Sequence, residues 1–216
     1  MCEGGEIAED QLDSEGVPTV ELDLMTELTE VGALKTGHFL FSSGRHSDLY
    51  LEKFDLLRNP RATERVCAGF VDAFAGDEID IVVGPTTGGI LLAFETARQM
   101  DLPAAYAERV EDGSDERVIK RGTVFREGSR VLVVDDILTT GGSVRHTLDA
   151  LKAHPVKVVG IGVLVDRSGG EVQFDDIPLR ALASQKFDSW PPAECPLCRD
   201  GVPLVKPGST ASKSVL

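Results

Sequence analysis

The sequence predicts an α/β fold, a mainly parallel sheet with helices on both faces. Three observations lead to it. Short aliphatic runs without polar alternation, IDIVVG (79–84), RVLVVDD (130–136) and VKVVGIGVLVDR (156–167), read as strands buried on both sides. Between them lie amphipathic stretches long enough for helices, ILLAFETARQM (90–100) and VRHTLDALKAH (144–154). Each strand also runs directly into a glycine- and hydroxyl-rich loop: GPTTGG (84–89), DDILTTGGS (135–143) and DRSGG (166–170). In open parallel sheets, ligands bind beyond the carboxyl ends of the strands, where such loops sit.

The remaining elements follow in order. Residues 1–18 are acidic and glycine-containing and read as a disordered tail, followed by one domain over 19–216. From Thr19 to Leu34 the apolar residues Leu24, Leu28, Val31 and Leu34 recur at helical spacing. KTGHFLFSSGRHSDLYLEKFDLL (35–57) alternates around an SSG turn, which predicts two short strands. NPRATERVCAGFVDAFAG (59–76) predicts a helix with Asn59 as cap, Pro60 in the first turn and Gly76 closing it. AAYAERV (104–110) is a further strand, EDGSDERVIKRG (111–122) a charged loop with Lys120 and Arg121 on a returning strand, and LRALAS (179–184) one more strand.

Composition bounds the function. The 216 residues carry a net charge of −14, which argues against sequence-independent nucleic-acid binding. With only eight lysines beside fourteen arginines, the acid excess resembles that of proteins adapted to a salt-rich cytosol. No apolar run is long enough for a transmembrane helix, and MCEGGEIAEDQLDSEG lacks the basic start and apolar core of a secretory signal, so a cytoplasmic protein is expected. Of the four cysteines, only Cys195 and Cys198 are close, in CPLC; one such pair supplies half the ligands of a structural zinc site and reads as a turn with two packed thiols, with metal binding or redox chemistry as the alternative. Cys67 falls in an apolar helical stretch, and Cys2 in the tail. His46 reads as a turn histidine, solvated or facing substrate or a second subunit. His146 and His154 read as surface helix residues, and Trp190 as an anchor for the C-terminal segment.

DDILTTGGS carries the chemistry. Asp135 and Asp136 end a strand where side chains emerge toward a crevice. Gly141 and Gly142 free the following amides to curl into a nest that opens a helix near Ser143, and such a nest binds a phosphate dianion. Thr139, Thr140 and Ser143 add hydroxyl donors, while the two carboxylates can accept from a diol. A ribose 5-phosphate fits these parts. Neither the Walker spacing nor the GxGxxG of dinucleotide folds is present.

VLVVDDILTTGGS (131–143) resembles, at all thirteen positions, the phosphoribosyl pyrophosphate (PRPP) signature of type I phosphoribosyltransferases. GHFLFSSGRHSDLYLEK, GPTTGGILLA and CPLCRDGVPLVKPGS resemble segments of the orotate phosphoribosyltransferase family, so the likeness runs from about residue 20 to 209. The resemblance implies the type I phosphoribosyltransferase fold with a small hood built from about 19–58 and 178–209. It implies transfer of phosphoribosyl from PRPP to orotate, giving orotidine 5′-monophosphate and pyrophosphate, with Mg²⁺ as cofactor and a homodimer as the working form. In this reading Asp135 and Asp136 hold the ribose hydroxyls and touch the metal only indirectly, through ribose or water. Thr139 to Ser143 cradle the 5-phosphate on the backbone continued from Ile137 and Leu138. Thr86, Thr87, Gly88 and Gly89 wrap the pyrophosphate. Arg109 and Lys120 meet its charge from the mobile loop, Arg109 and Asp136 being the catalytic candidates. Arg167, Thr139 and Lys53 face orotate, since an arginine fork suits a planar carboxylate. Family members commonly carry a cation where this chain has Ser42, and the mobile loop here, VEDGSDERV, is acidic, so pyrophosphate meets it only with Mg²⁺ or salt between them. A phosphoribosyltransferase for another base and a PRPP-sensing regulator are the alternatives. A regulator would need a DNA-binding module, for which the acidic N-terminus leaves little room.

Overall fold

The computed structural model describes residues 23–111 and 113–207. The expected disordered tail, Cys2 and the chain beyond residue 207 lie outside them. The first helix, α1 (Leu24–Glu30), starts where Asp23 accepts from the amides of Met25 and Thr26. It buries Leu24 and Leu28, as the spacing predicts. Leu34 is not on it: Gly32, with φ +71°, turns the chain, and Leu34 opens strand β1 (Leu34–Leu40). β1 pairs antiparallel with β2 (His46–Leu51) around the SSG turn. The expected second strand stops short, because Glu52 caps a five-residue helix, α2 (Lys53–Leu57), that buries Leu56 and Leu57. Then α3 (Pro60–Ala73) begins at Asn59, whose side chain accepts from the Ala62 amide, with Pro60 in its first turn.

The main sheet comprises β3 (Ile81–Pro85), β4 (Ala104–Arg109), β5 (Arg117–Ile119), β6 (Ser129–Leu138), β7 (Val156–Asp166) and β8 (Leu179–Ser184). Their order is β5-β4-β3-β6-β7-β8, parallel except where β5 returns against β4. Helix α4 (Gly88–Met100) links β3 to β4, and α5 (Gly142–Leu151) links β6 to β7. Chain order therefore diverges between β3 and β6, which are hydrogen-bonded neighbours. Such a switch point opens a crevice at the carboxyl ends of the two strands.

Both faces of the sheet are buried. One carries Val82, Leu132, Val134 and Leu164 against Leu28, Val66, Phe70, Phe74 and Leu92. The other carries Val83, Val131, Val133, Ile161 and Val163 against Val144, Leu151 and Phe174. The continuous aliphatic runs of these strands follow from that double cover. A Cβ on Gly160 would lie 2.5 Å from the Phe74 ring, so the helix α3 side packs directly on β7 backbone. Within EDGSDERVIKRG the returning strand is Arg117–Ile119; Lys120 and Arg121 lie just past it, where Arg121 turns at φ +63°.

The C-terminal segment folds back onto the β1–β2 hairpin. His46 and Trp190 exchange backbone hydrogen bonds at 2.8 Å in both directions, Leu40 N–H donates to Val205, and Val205 N–H to His38. Ser47 also donates its hydroxyl to the Asp188 carbonyl. CPLC is not a plain turn but a one-turn helix, α6 (Pro196–Arg199), with Cys195 buried before it. His46 is buried against His38, not solvated, because the returning segment covers it. His154 lies beyond α5, its ring tilted against Phe125 with centroids 4.9 Å apart. Among the described residues no helix is long and apolar enough to cross a membrane.

Candidate active site

Two loops leave the adjacent strands β3 and β6. After β3 come Thr86 and Thr87, joined by a cis peptide, then α4 from Gly88. After β6 come Thr139 and Thr140, both exposed, then Gly141 and α5. Gly141 holds φ +78°, and a Cβ there would lie 2.8 Å from Val172, so glycine is required on both counts. Neither Thr87 nor Gly141 caps its helix with a side chain. The first amides of α4 and α5 are left to whatever occupies the crevice.

Asp135 and Asp136 are both 5% exposed at the end of β6. Successive strand residues project to opposite faces, and the two carboxyls part accordingly. Asp135 accepts from the Asp136 amide and lies toward Ser143 and Arg117. Burial, then the neighbouring charge of Asp136, pushes its carboxyl up to about 7. Asp136 accepts from the Ile137 amide through Oδ1. Its Oδ2 lies 2.7 Å from Lys53 Nζ, yet outside hydrogen-bond geometry, so this buried oxygen keeps lone pairs free. The two observations agree if the contact is read as an ion pair and not as a directed bond. A Cβ on Gly88 would sit 2.0 Å from Asp136 Oδ2, and one on Gly84 1.9 Å from the Gly89 carbonyl. These glycines let α4 approach the acidic strand end. Lys53 faces Asp136 from the start of α2.

Arg167 follows β7 and hydrogen-bonds through its amide to the Leu138 carbonyl, which ties the DRSGG loop to β6. Asp166 shapes that loop by accepting from Ser168 and Gly170 amides. The Arg167 guanidinium is sandwiched 4.2 Å from the Phe187 ring and 5.2 Å from Phe41. Burial lowers its pKa, its Nε has no partner, and among the described residues no carboxylate pairs with it. A half-buried cation set against two rings, with no carboxylate partner among the described residues, can receive a planar anion.

Arg109 and Lys120 are exposed, Arg109 lying 3.0 Å from Asp115 of the acidic loop. The structure thus brings together the two loops, the acidic pair, Lys53 and the glycines, and leaves Arg109 and Lys120 at the rim. Sequence reasoning missed Arg117. It lies inside the stretch expected as a charged loop, but it opens β5, is 6% exposed, and its guanidinium donates to Thr86 Oγ1 at 3.0 Å, to the Ala107 carbonyl at 3.1 Å and to Ser143 Oγ at 3.2 Å. It fastens the loop after β3 to the start of α5. The signal was a single arginine inside VEDGSDERV; only burial turns it into a strut.

The family profile described as "Phosphoribosyl transferase domain" matches residues 55–195. An orotate phosphoribosyltransferase of Caldicellulosiruptor bescii is 43% identical over 180 residues, covering 83% of this chain and 93% of that one. One from a Thermoanaerobacter species is 41% identical over 187 residues, covering 87% and 96%. Among solved structures, orotate phosphoribosyltransferase from Aeropyrum pernix superposes with a TM-score of 0.65 at 28% identity, over 74% of this chain and 93% of that chain.

Proposed function

The chain belongs to the orotate phosphoribosyltransferase family, and from that premise we propose that it transfers phosphoribosyl from PRPP to orotate in pyrimidine biosynthesis. A ring nitrogen of orotate forms the new bond to C1′ while the bond from C1′ to the pyrophosphate oxygen breaks and pyrophosphate departs with the electron pair. The observation that carries the orotate reading is Arg167, a half-buried cation between Phe41 and Phe187 with no protein carboxylate to pair with. The base carboxylate supplies the missing anion, and Thr139 lies on the loop that Arg167 joins.

The remaining roles follow from placement. The uncapped start of α5, with Thr139, Thr140, Gly141, Gly142 and Ser143, receives the 5-phosphate. Thr86, Thr87, Gly88 and Gly89 receive the pyrophosphate at the start of α4. The free lone pairs of Asp136 Oδ2 accept from a ribose hydroxyl, with Asp135 behind it and Lys53 holding the charge of the pair. Arg109 and Lys120 neutralise pyrophosphate from the loop. Buried hard oxygens at Asp135 and Asp136, set beside a phosphate seat, fit Mg²⁺ held through ribose and water. When bound, the ion offsets the charge that accumulates on the departing pyrophosphate. Shielding the cationic C1′ from water falls to the loop after β4.

Leu91 and Phe94 stand 42% and 65% exposed, three residues apart on α4, and this apolar pair suits a homodimer contact. The acidic composition goes with a salt-rich cytoplasm. Incubating the protein with PRPP, Mg²⁺ and single bases, and following pyrophosphate, tests the assignment. Turnover with orotate is expected. Arg167→Ala is expected to raise KM for orotate by about 10²-fold, the worth of a charge-assisted pair, with little change in KM for PRPP. Turnover with another base but not orotate, or none with any base despite PRPP binding, would replace this reading with one of the two alternatives.

A further inference from the structure

Four side chains that play no part in the reaction converge under the C-terminal segment. His38 lies on β1, His46 opens β2, Cys195 precedes α6 and Cys198 lies within it. His38, His46 and Cys195 are buried. Their ligand atoms all lie within 4.8 Å of one another. His38 Nε2 is 3.0 Å from His46 Nδ1, 3.4 Å from Cys195 Sγ and 3.7 Å from Cys198 Sγ, and Cys198 Sγ is 3.3 Å from His46 Nδ1. A tetrahedral ion with metal–sulfur bonds of about 2.3 Å and metal–nitrogen bonds of about 2.0 Å sets its ligand atoms about 3.3 to 3.8 Å apart. Three of these four distances fall in that window, the fourth is short by a few tenths of an ångström, and none of the six separations among the four atoms exceeds 4.8 Å.

We propose that His38, His46, Cys195 and Cys198 bind one structural zinc ion that staples the C-terminal segment to the β1–β2 hairpin. The chemistry of the set agrees. His38 Nδ1 lies 2.7 Å from the Val202 carbonyl, which only an N–H can satisfy, so the lone pair is on Nε2, the nitrogen that faces the cluster. Two nitrogens and two sulfurs suit Zn²⁺ and not Mg²⁺ or Ca²⁺, which take oxygen. Two thiolates balance the charge of the ion, so the occupied site is neutral and tolerates burial. All four positions are filled by protein, which marks a closed structural site and not a catalytic one. The ligands come in two pairs, eight and three residues apart, separated by most of the chain. Cross-linking across so long a loop restrains the unfolded chain strongly. The staple also sets the walls around Arg167, because Phe41 leaves the same hairpin and Phe187 the same C-terminal segment.

The test reads metal and not turnover, so it stands or falls separately from the reaction proposed above. Full-length protein, purified with reductant and without chelator, is expected to carry about one zinc per chain by elemental mass spectrometry, and Cys195→Ser and His38→Gln less than about a tenth of that. Protein reconstituted with Co²⁺ is expected to show the intense visible bands of a tetrahedral site with thiolate charge transfer. Cys198→His, which keeps a nitrogen ligand, is expected to retain the metal with weaker charge transfer. Chelation followed by restored Mg²⁺ is expected to lower Tm and speed amide exchange in residues 186–205 and in the hairpin. Metal-free wild type with no Co²⁺ spectrum, or a Cys195–Cys198 disulfide that returns after reduction while no metal binds, overturns the proposal. If the serine variant fails to fold, the cobalt spectrum of the wild type still decides.

Discussion

The helices of this molecule begin in two different ways. Asp23, Glu52 and Asn59 close the starts of α1, α2 and α3 with their own side chains. The starts of α4 and α5, at Thr87 and Gly141, have no side-chain cap. The short α6 also lacks one, but its cap residue is Cys195, whose thiol belongs to the cluster with His38. A side-chain cap satisfies amides that water would otherwise solvate and contributes about 1 kcal/mol. Omitting it at two neighbouring helices, both at the switch point of the sheet, leaves two sets of oriented amides for ligand phosphates. The proposed function thus assigns stability to the first three helix starts and binding to the next two.

The sharpest way to break that division is to obstruct the uncapped side without removing a polar group. Gly88→Ala puts a Cβ where Asp136 Oδ2 now lies, at 2.0 Å. Either the carboxylate or the start of α4 must move. A displacement of about 1 Å at a reacting centre costs about 10²-fold, so kcat/KM is expected to fall by at least that much. Overpacking is expected to cost only about 1–3 kcal/mol of stability, read by denaturant titration. Unchanged kcat/KM would separate Asp136 from catalysis.

Asp135 shows the same division through pH. Its folded carboxyl is pushed up to about 7 by burial and by Asp136. Below pH 4 both folded and unfolded forms are protonated and the group is neutral to stability. Between about pH 4 and 7 the unfolded chain ionises first, so stability falls as pH rises, and above pH 7 the full cost is present. Asp135→Asn keeps an acceptor for the Asp136 amide and removes the charge. In Mg²⁺-free buffer it is expected to unfold at a higher temperature than wild type at pH 8, by an amount of order 2 kcal/mol, with the gain vanishing near pH 4. A gain independent of pH would assign the effect to packing.

How much of this was legible in the sequence depends on how far apart the cooperating residues lie. The proposed phosphate seat is one contiguous stretch, strand, acids and glycine loop, so residues 131–143 carry all of its parts locally. The buried strands were legible for the same reason, since double cover leaves an unbroken aliphatic run. Spacing alone places Leu34 on the helix, because a helical apolar period and a strand's first residue are indistinguishable until Gly32 turns at positive φ. Arg117 was unreadable because its partners Thr86, Ala107 and Ser143 come from three other elements. The cluster at His38 escaped for that reason too: CPLC offers two ligands, and the other two stand more than a hundred residues away on a hairpin.

The smallest effect probes the capped side. Asn59 accepts from the Ala62 amide at 3.2 Å, and α3 behind it buries Val66, Cys67 and Phe70 against the sheet. Asn59→Ala orphans that amide at an exposed helix start, where water replaces the lost bond in part. A loss of about 1 kcal/mol is expected from denaturant titration, with kcat and both KM values unchanged. The pairing with Gly88→Ala makes the result informative. If Asn59→Ala altered KM for PRPP, α3 would have to transmit strain to the crevice, and stability and binding would no longer be assigned to separate helix starts. If only stability moved, the sequence would have separated them by one choice made at each helix start: a side chain that closes it, or none.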